Sequence, residues 1–127
     1  MKTFSLVLVA PSHYDDDGYV IQWFRSWLPA NSLACLYGLA TECRKNRVLG
    51  KNVKLEIHVF DETNTHINTG KIASLIESAD DGMLMLVGVQ SSQFPRSLDI
   101  AAPLRAMGIK VAIGGFHVSG VMSMIKE

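Results

Sequence analysis

The sequence predicts an α/β domain in which helices cover both faces of a parallel sheet. Four apolar runs of strand length, residues 4–10, 53–60, 83–90 and 110–113, alternate with stretches of helical period. The first and third runs are almost continuously apolar, as strands covered on both faces should be. Strand and helix succeed one another along the whole chain, which is the signature of a sheet wound by right-handed crossovers. Together these observations predict a Rossmann-like (flavodoxin-like) three-layer sandwich.

The elements follow in order. Residues 4–10 form the first strand, and the loop after it runs from Pro11 to Gly18. Trp23 and Trp27 then stand one helical turn apart among other large apolar groups, the composition of a lid or docking face or of packing under a long loop. Asn31 or Ser32 can cap a helix whose apolar residues Leu33, Leu36, Tyr37, Leu39 and Ala40 recur at three- and four-residue steps. Arg44, Lys45 and Arg47 mark its solvated end, and Gly50 supplies the exit. In the second strand Lys54, Glu56 and His58 alternate with apolar residues, which suits a sheet edge.

Thr69 is the expected cap of a helix carrying Ile72, Leu75 and Ile76. Pro95 is expected to begin the next, with Leu98, Ile100, Ala101, Leu104 and Met107 along it and Gly108 closing it. Pro103 removes a backbone hydrogen bond inside that helix, so a kink or early break is expected there. A short last helix is expected over residues 119–126. The chain stops before the fifth strand of such a sheet, so the reading is a single domain, residues 1–127, lacking the last strand and truncated at its carboxyl end.

Composition narrows the function. A chain of 127 residues, 48% apolar and 19% charged, holds a core without disulfides. Twelve Lys and Arg balance twelve Asp and Glu, so there is no net basic field for a phosphate backbone, and nucleic acid is not expected as a partner. Cys35 and Cys43 lack the spacing of a zinc or iron–sulfur site. No apolar run approaches the ~20 residues of a membrane span, and residues 1–10 read as a core strand rather than a secretory signal. A cytoplasmic location is expected.

Sheets of this kind bind ligands outside the carboxyl ends of their strands, near the point where the winding reverses. The candidate segments are therefore residues 11–18, 61–65, 91–94 and 114–117. In the last of them, Gly114 and Gly115 remove both Cβ atoms where a ligand would meet backbone, and His117 follows. The pair is equally consistent with a tight strand-to-helix turn. Gln90, Ser91 and Ser92 can hydrogen-bond a polar ligand or cap the helix that follows. Asp61 and Glu62 can accept from a ribose or amide, or simply begin a loop. His13 can reach over the sheet, whereas Asp15, Asp16 and Asp17 read as a solvated turn, because adjacent carboxylates rarely converge on one cation. No Gly-x-Gly-x-x-Gly and no Walker lysine are present.

These residues resemble a family. The Pro-containing loop after the first strand, the segments Asn31-Ser32-Leu33-Ala34 and Leu36-Tyr37-Gly38-Leu39, then Gly88-Val89-Gln90-Ser91 and Gly114-Gly115-Phe116-His117, resemble the amino-terminal cobalamin (B12)-binding domain of cobalamin-dependent radical SAM proteins. The resemblance implies that Gly114 and Gly115 let the nucleotide tail of cobalamin approach the backbone, and that Ser91 and Ser92 hydrogen-bond it, with Gln90, Asp61 and His117 nearby. It aligns Pro11-Ser12-His13-Tyr14 with the loop in which related cobalamin proteins carry a histidine as lower cobalt ligand, so His13 is the metal candidate. The aspartate that should orient such a histidine is missing here. The Cys-x-x-x-Cys-x-x-Cys triplet that binds an iron–sulfur cluster is also missing, so this chain carries no such cluster and is not expected to perform radical chemistry alone.

The expected function is a cobalamin-binding module, partnered by a radical SAM domain or subunit, with an exposed sheet edge that invites a homodimer. The second reading is a flavodoxin-like interaction or small-ligand module without cobalamin. An independent hydrolase or transferase using His13, His117 and the Asp15 cluster ranks below both, because no nucleophile is paired by spacing with a base.

Overall fold

A computed structural model describes residues 1–22 and 31–125. Trp23 and Trp27 lie outside the described residues. Four strands, β1 (Lys2–Ala10), β2 (Val53–Asp61), β3 (Asp81–Leu86) and β4 (Lys110–Ile113), form one sheet in the order β2-β1-β3-β4, with every neighbouring pair parallel. The helices are α1 (Asn31–Lys45), α2 (Thr69–Glu77), α3 (Phe94–Ala106) and α4 (Phe116–Met124), with a 3-10 turn at Ser91–Gln93 before α3. The α/β, all-parallel, Rossmann-like architecture expected from the sequence is therefore present, with β2 at one edge and β1 and β3 in the centre. No described helix is long and apolar enough to cross a membrane.

Alternation along β1 sorts the core into two layers. Val7 and Val9 point toward α2 and α3, where they meet Ile72, Ala73, Ile76, Leu84, Leu86, Ile100 and Leu104. Leu8 and Ala10 point the other way, onto Leu33 of α1 and Val87. Fully burying side chains of this size contributes roughly 1.5–3 kcal/mol each, so the larger first layer anchors the fold. The layer under α1 is thinner: Leu6, Ile57 and Met85 are only half-buried there.

Several boundaries differ from the sequence expectation. The third strand ends at Leu86 rather than residue 90, because Gly88 takes a positive φ of 65° and turns the chain away. Val87 and Val89 stay apolar because they are buried as loop residues beneath the helices. The cap of α2 is Asn68, whose Oδ1 accepts from Lys71 N at 3.1 Å, while Thr69 is already helical. Helix α3 begins at Phe94 and passes through Pro103 to Ala106. Pro103 and the Asp99 peptide it leaves unpaired lie on the exposed side of that helix, where solvent can hydrate the freed carbonyl. The last helix starts at Phe116, three residues earlier than expected, because Gly115 at φ 133° turns the chain directly out of β4.

Candidate functional site

The winding reverses between β1 and β3, so the ligand-receiving crevice of this fold lies at their carboxyl ends. Two constellations occupy that end. The first closes the ends of β1 and β2. Glu62 follows β2 directly, continues its pairing through a 2.9 Å bond from its N–H to Ala10 O, and is 1% exposed. Its carboxylate receives Ser12 N at 3.0 Å and the guanidinium of Arg96, from Nε to Oε1 at 3.0 Å and from Nη2 to Oε2 at 2.7 Å. Such a two-pronged fit is the strongest carboxylate pairing that side chains make.

Arg96 also carries Tyr14. Its Nη1 donates to the Tyr14 hydroxyl at 3.4 Å, its guanidinium lies 5.8 Å from the Tyr14 ring centroid, and the hydroxyl donates to the Asp99 carboxylate. Burial, and then the bond to Asp99, pushes the Tyr14 phenol above its ordinary range. The hydrogen bonds to Glu62 hold Arg96 still more firmly in its charged form. Gln93 ties a third loop in: its Nε2 donates to Pro11 O at 3.0 Å and its Oε1 accepts from Gln90 N at 2.8 Å. Gln22 completes the brace by donating to Glu62 O at 3.3 Å and Thr65 O at 3.2 Å. A carboxylate locked in this way is a strut between loops and no general base.

The second constellation lies at the ends of β3 and β4. Val89 N donates to Gly114 O at 2.9 Å and His117 N to Val89 O at 3.1 Å, so the two loops run together. A Cβ on Gly115 would sit 2.3 Å from Val89 N, whereas one on Gly114 would meet nothing within 4 Å. The missing Cβ of Gly115 therefore serves the chain's own loop packing, and Gly114 is the glycine that opens outward. Ser91 Oγ lies 3.1 Å from His117 Nδ1, and the His117 ring stacks on Phe94 with centroids 4.1 Å apart and planes 26° apart. Ser91, Ser92, Gln90 and Gly114 are exposed.

The sequence candidates thus separate. Ser91, Gly114 and His117 share one ledge, with Gln90 and Ser92 at its rim. Pro11 and Ser12 are buried, and Ser12 Oγ donates to Ile21 O, so Ser12 positions its loop rather than facing the crevice. Asp61 Oδ1 accepts from Thr63 N at 3.0 Å and Thr63 Oγ1 at 2.7 Å within its own turn. Among the described residues no hydrogen bond orients the His13 side chain, and no group of three or more His, Cys, Asp or Glu residues could hold a metal ion. Asp15 accepts from the N–H groups of Asp17 and Tyr19, each at 2.9 Å, which makes the aspartate run a turn.

Sequence reasoning missed Arg96, Tyr14, Gln93 and Asp99. One signal was present: Arg96 sits in the first turn of α3, where the helix dipole disfavours a cation and an anionic partner offsets that cost. No family model, curated protein or solved structure matches the chain.

Proposed function

We propose that the ledge formed by Ser91, Gly114 and His117 holds a cofactor against the carboxyl ends of β3 and β4, and that the cofactor is cobalamin. The observation that carries this reading is the open face of Gly114, whose carbonyl is bonded to Val89 N at the start of the loop that exposes Ser91 and Ser92. Backbone free of a Cβ, flanked by hydroxyl donors, suits the nucleotide tail that the sequence resemblance assigns to these positions. The brace of Glu62, Arg96 and Gln93 keeps the neighbouring loops fixed, so the ledge is preorganised rather than formed on binding.

The fit is unequal across the site. Ser91, Ser92 and Gly114 suit the tail. Among the described residues His13 has no carboxylate or carbonyl partner to set its tautomer, so those residues supply no second group that would orient it as a lower ligand for cobalt. When bound, cobalamin would supply a cobalt centre able to carry a methyl group, and a radical step would require a partner domain with its own iron–sulfur cluster.

A second reading has its own observation. The stacking of His117 on Phe94 and the contact of Gly115 with Val89 fill part of the space between the β3 and β4 loops, which favours a smaller ligand than a corrin. Gel filtration of the protein after mixing with hydroxocobalamin, read by the corrin absorption bands, separates the two. Coelution in the native protein and its loss in Gly114→Val at unchanged helical content supports the first reading. Clean separation of protein and corrin overturns it.

A further inference from the structure

We infer that the open edge of β2 is a docking site for an extended acidic peptide segment, which adds to the sheet as a strand beside β2. Three features converge on that edge. The first is an unfilled row of backbone groups. Lys2 N donates to Asn52 O and Glu62 N to Ala10 O, both at 2.9 Å, which fixes the phase of the β1–β2 ladder. Even-numbered residues from 52 to 62 therefore direct their backbone groups at β1, and Leu55, Ile57 and Val59 direct theirs outward. Among the described residues no other strand pairs with β2, so these N–H and C=O groups are a template for another strand.

The second feature is shape. A groove of about 550 Å³ is lined by β2 from Val53 to His58, Leu55 and Ile57 included, together with the end of α1 and the loop that follows it. The third is charge. Arg44, Arg47, Lys51 and Lys54 line the same groove, against Glu56 as its one carboxylate. Glu56 is taken by Lys54 at 3.5 Å, and among the described residues Arg44, Arg47 and Lys51 have no carboxylate within 4.0 Å. The whole chain carries no net charge, so this cluster is a local concentration of cations beside an edge that needs a peptide backbone. Strand addition uses main-chain bonds for affinity and flanking side chains for selectivity. The basic flank selects acidic segments, and the outward peptide groups select polypeptide over nucleic acid.

The test uses an acetylated, amidated peptide of alternating Glu and Val, followed by amide chemical shifts and hydrogen exchange in the intact protein. Expected are slowed exchange at the Leu55, Ile57 and Val59 amides and an affinity that falls as salt rises. Methylating every second peptide nitrogen should abolish binding in one phase and spare it in the other, because only alternate N–H groups face the edge. The Arg44→Glu/Arg47→Glu variant should lose at least tenfold in affinity at unchanged circular dichroism. Absence of binding, equal affinity of the two methylated phases, equal affinity for a Lys and Val peptide, or binding of oligothymidylate in place of the acidic peptide would each overturn the inference.

Discussion

Glu62, directly after β2, and Arg96 in the first turn of α3 form an ion pair, 34 positions apart in the chain and closed at 2.7 Å, with the carboxylate buried and the guanidinium part-buried. The pair joins the loop after β2 to the helix that follows β3, across the end of β1. Ser12 N and the Tyr14 hydroxyl are attached to it, so the loop after β1 is fixed by the same charges.

Removing Arg96 leaves the Glu62 carboxylate buried with the Ser12 N–H but no cation. Arg96→Met is expected to lower stability by about 3–5 kcal/mol, because Glu62 would be left without its cation in a site nearly closed to water. The double variant Glu62→Leu/Arg96→Met should recover most of that loss, since it buries no charge. Urea unfolding of the two variants and the native chain measures both values. A double variant as unstable as the single one would mean that the pair acts through its geometry and not its charge.

Tyr14 is expected to give the protein an alkaline pH dependence. Its phenol is held above the ordinary value near 10 by burial and by the bond to Asp99. The folded state therefore keeps this proton longer than the unfolded chain does, so the associated stability is present below pH ~10 and is lost as pH rises through the folded value. The stability difference between the native protein and Tyr14→Phe should stay level from pH 8 to about 10 and then shrink. Tyrosinate absorbance at 295 nm, taken as native minus Tyr14→Phe, should rise later than that of a free phenol.

The two adjacent glycines should respond oppositely to a methyl group. Gly115→Ala forces a Cβ against Val89 N at 2.3 Å with φ at 133°, so a loss of more than ~1 kcal/mol is expected. Gly114→Ala adds its Cβ to open space and reduces the freedom of the unfolded chain, so stability should hold or rise by about 0.4–1 kcal/mol. Thermal unfolding of the pair reads the contrast directly.

Asn68→Ala should cost about 1 kcal/mol, the usual value of a lost helix cap, because Lys71 N loses its acceptor. Thr69→Ala leaves that bond in place and should cost less. The comparison locates the start of α2 by its energetics.

The local pattern of the chain is enough to specify the layers. Continuous apolar runs mark β1 and β3 as central, and the alternation of Lys54, Glu56 and His58 marks β2 as an edge, because each depends only on which faces of a strand are covered. Gly108 after α3 is equally legible, since a helix exit at φ 80° requires a residue without Cβ. The third strand was overextended because Val87 and Val89 are buried as loop, and burial of a loop leaves the same apolar mark as burial of a strand.

What the sequence by itself determined is the order of strands and helices, the parallel sheet and the four strand ends at which a ligand site belongs. Only the tertiary structure decided which residues meet there. Gly114 opens outward and Gly115 packs on Val89, though the two are chemically identical and adjacent. Arg96 meets Glu62, and His117 meets Ser91 and Phe94. Periodicity reports only on neighbours within one element, whereas these pairings are set by how far each loop reaches after the sheet has assembled.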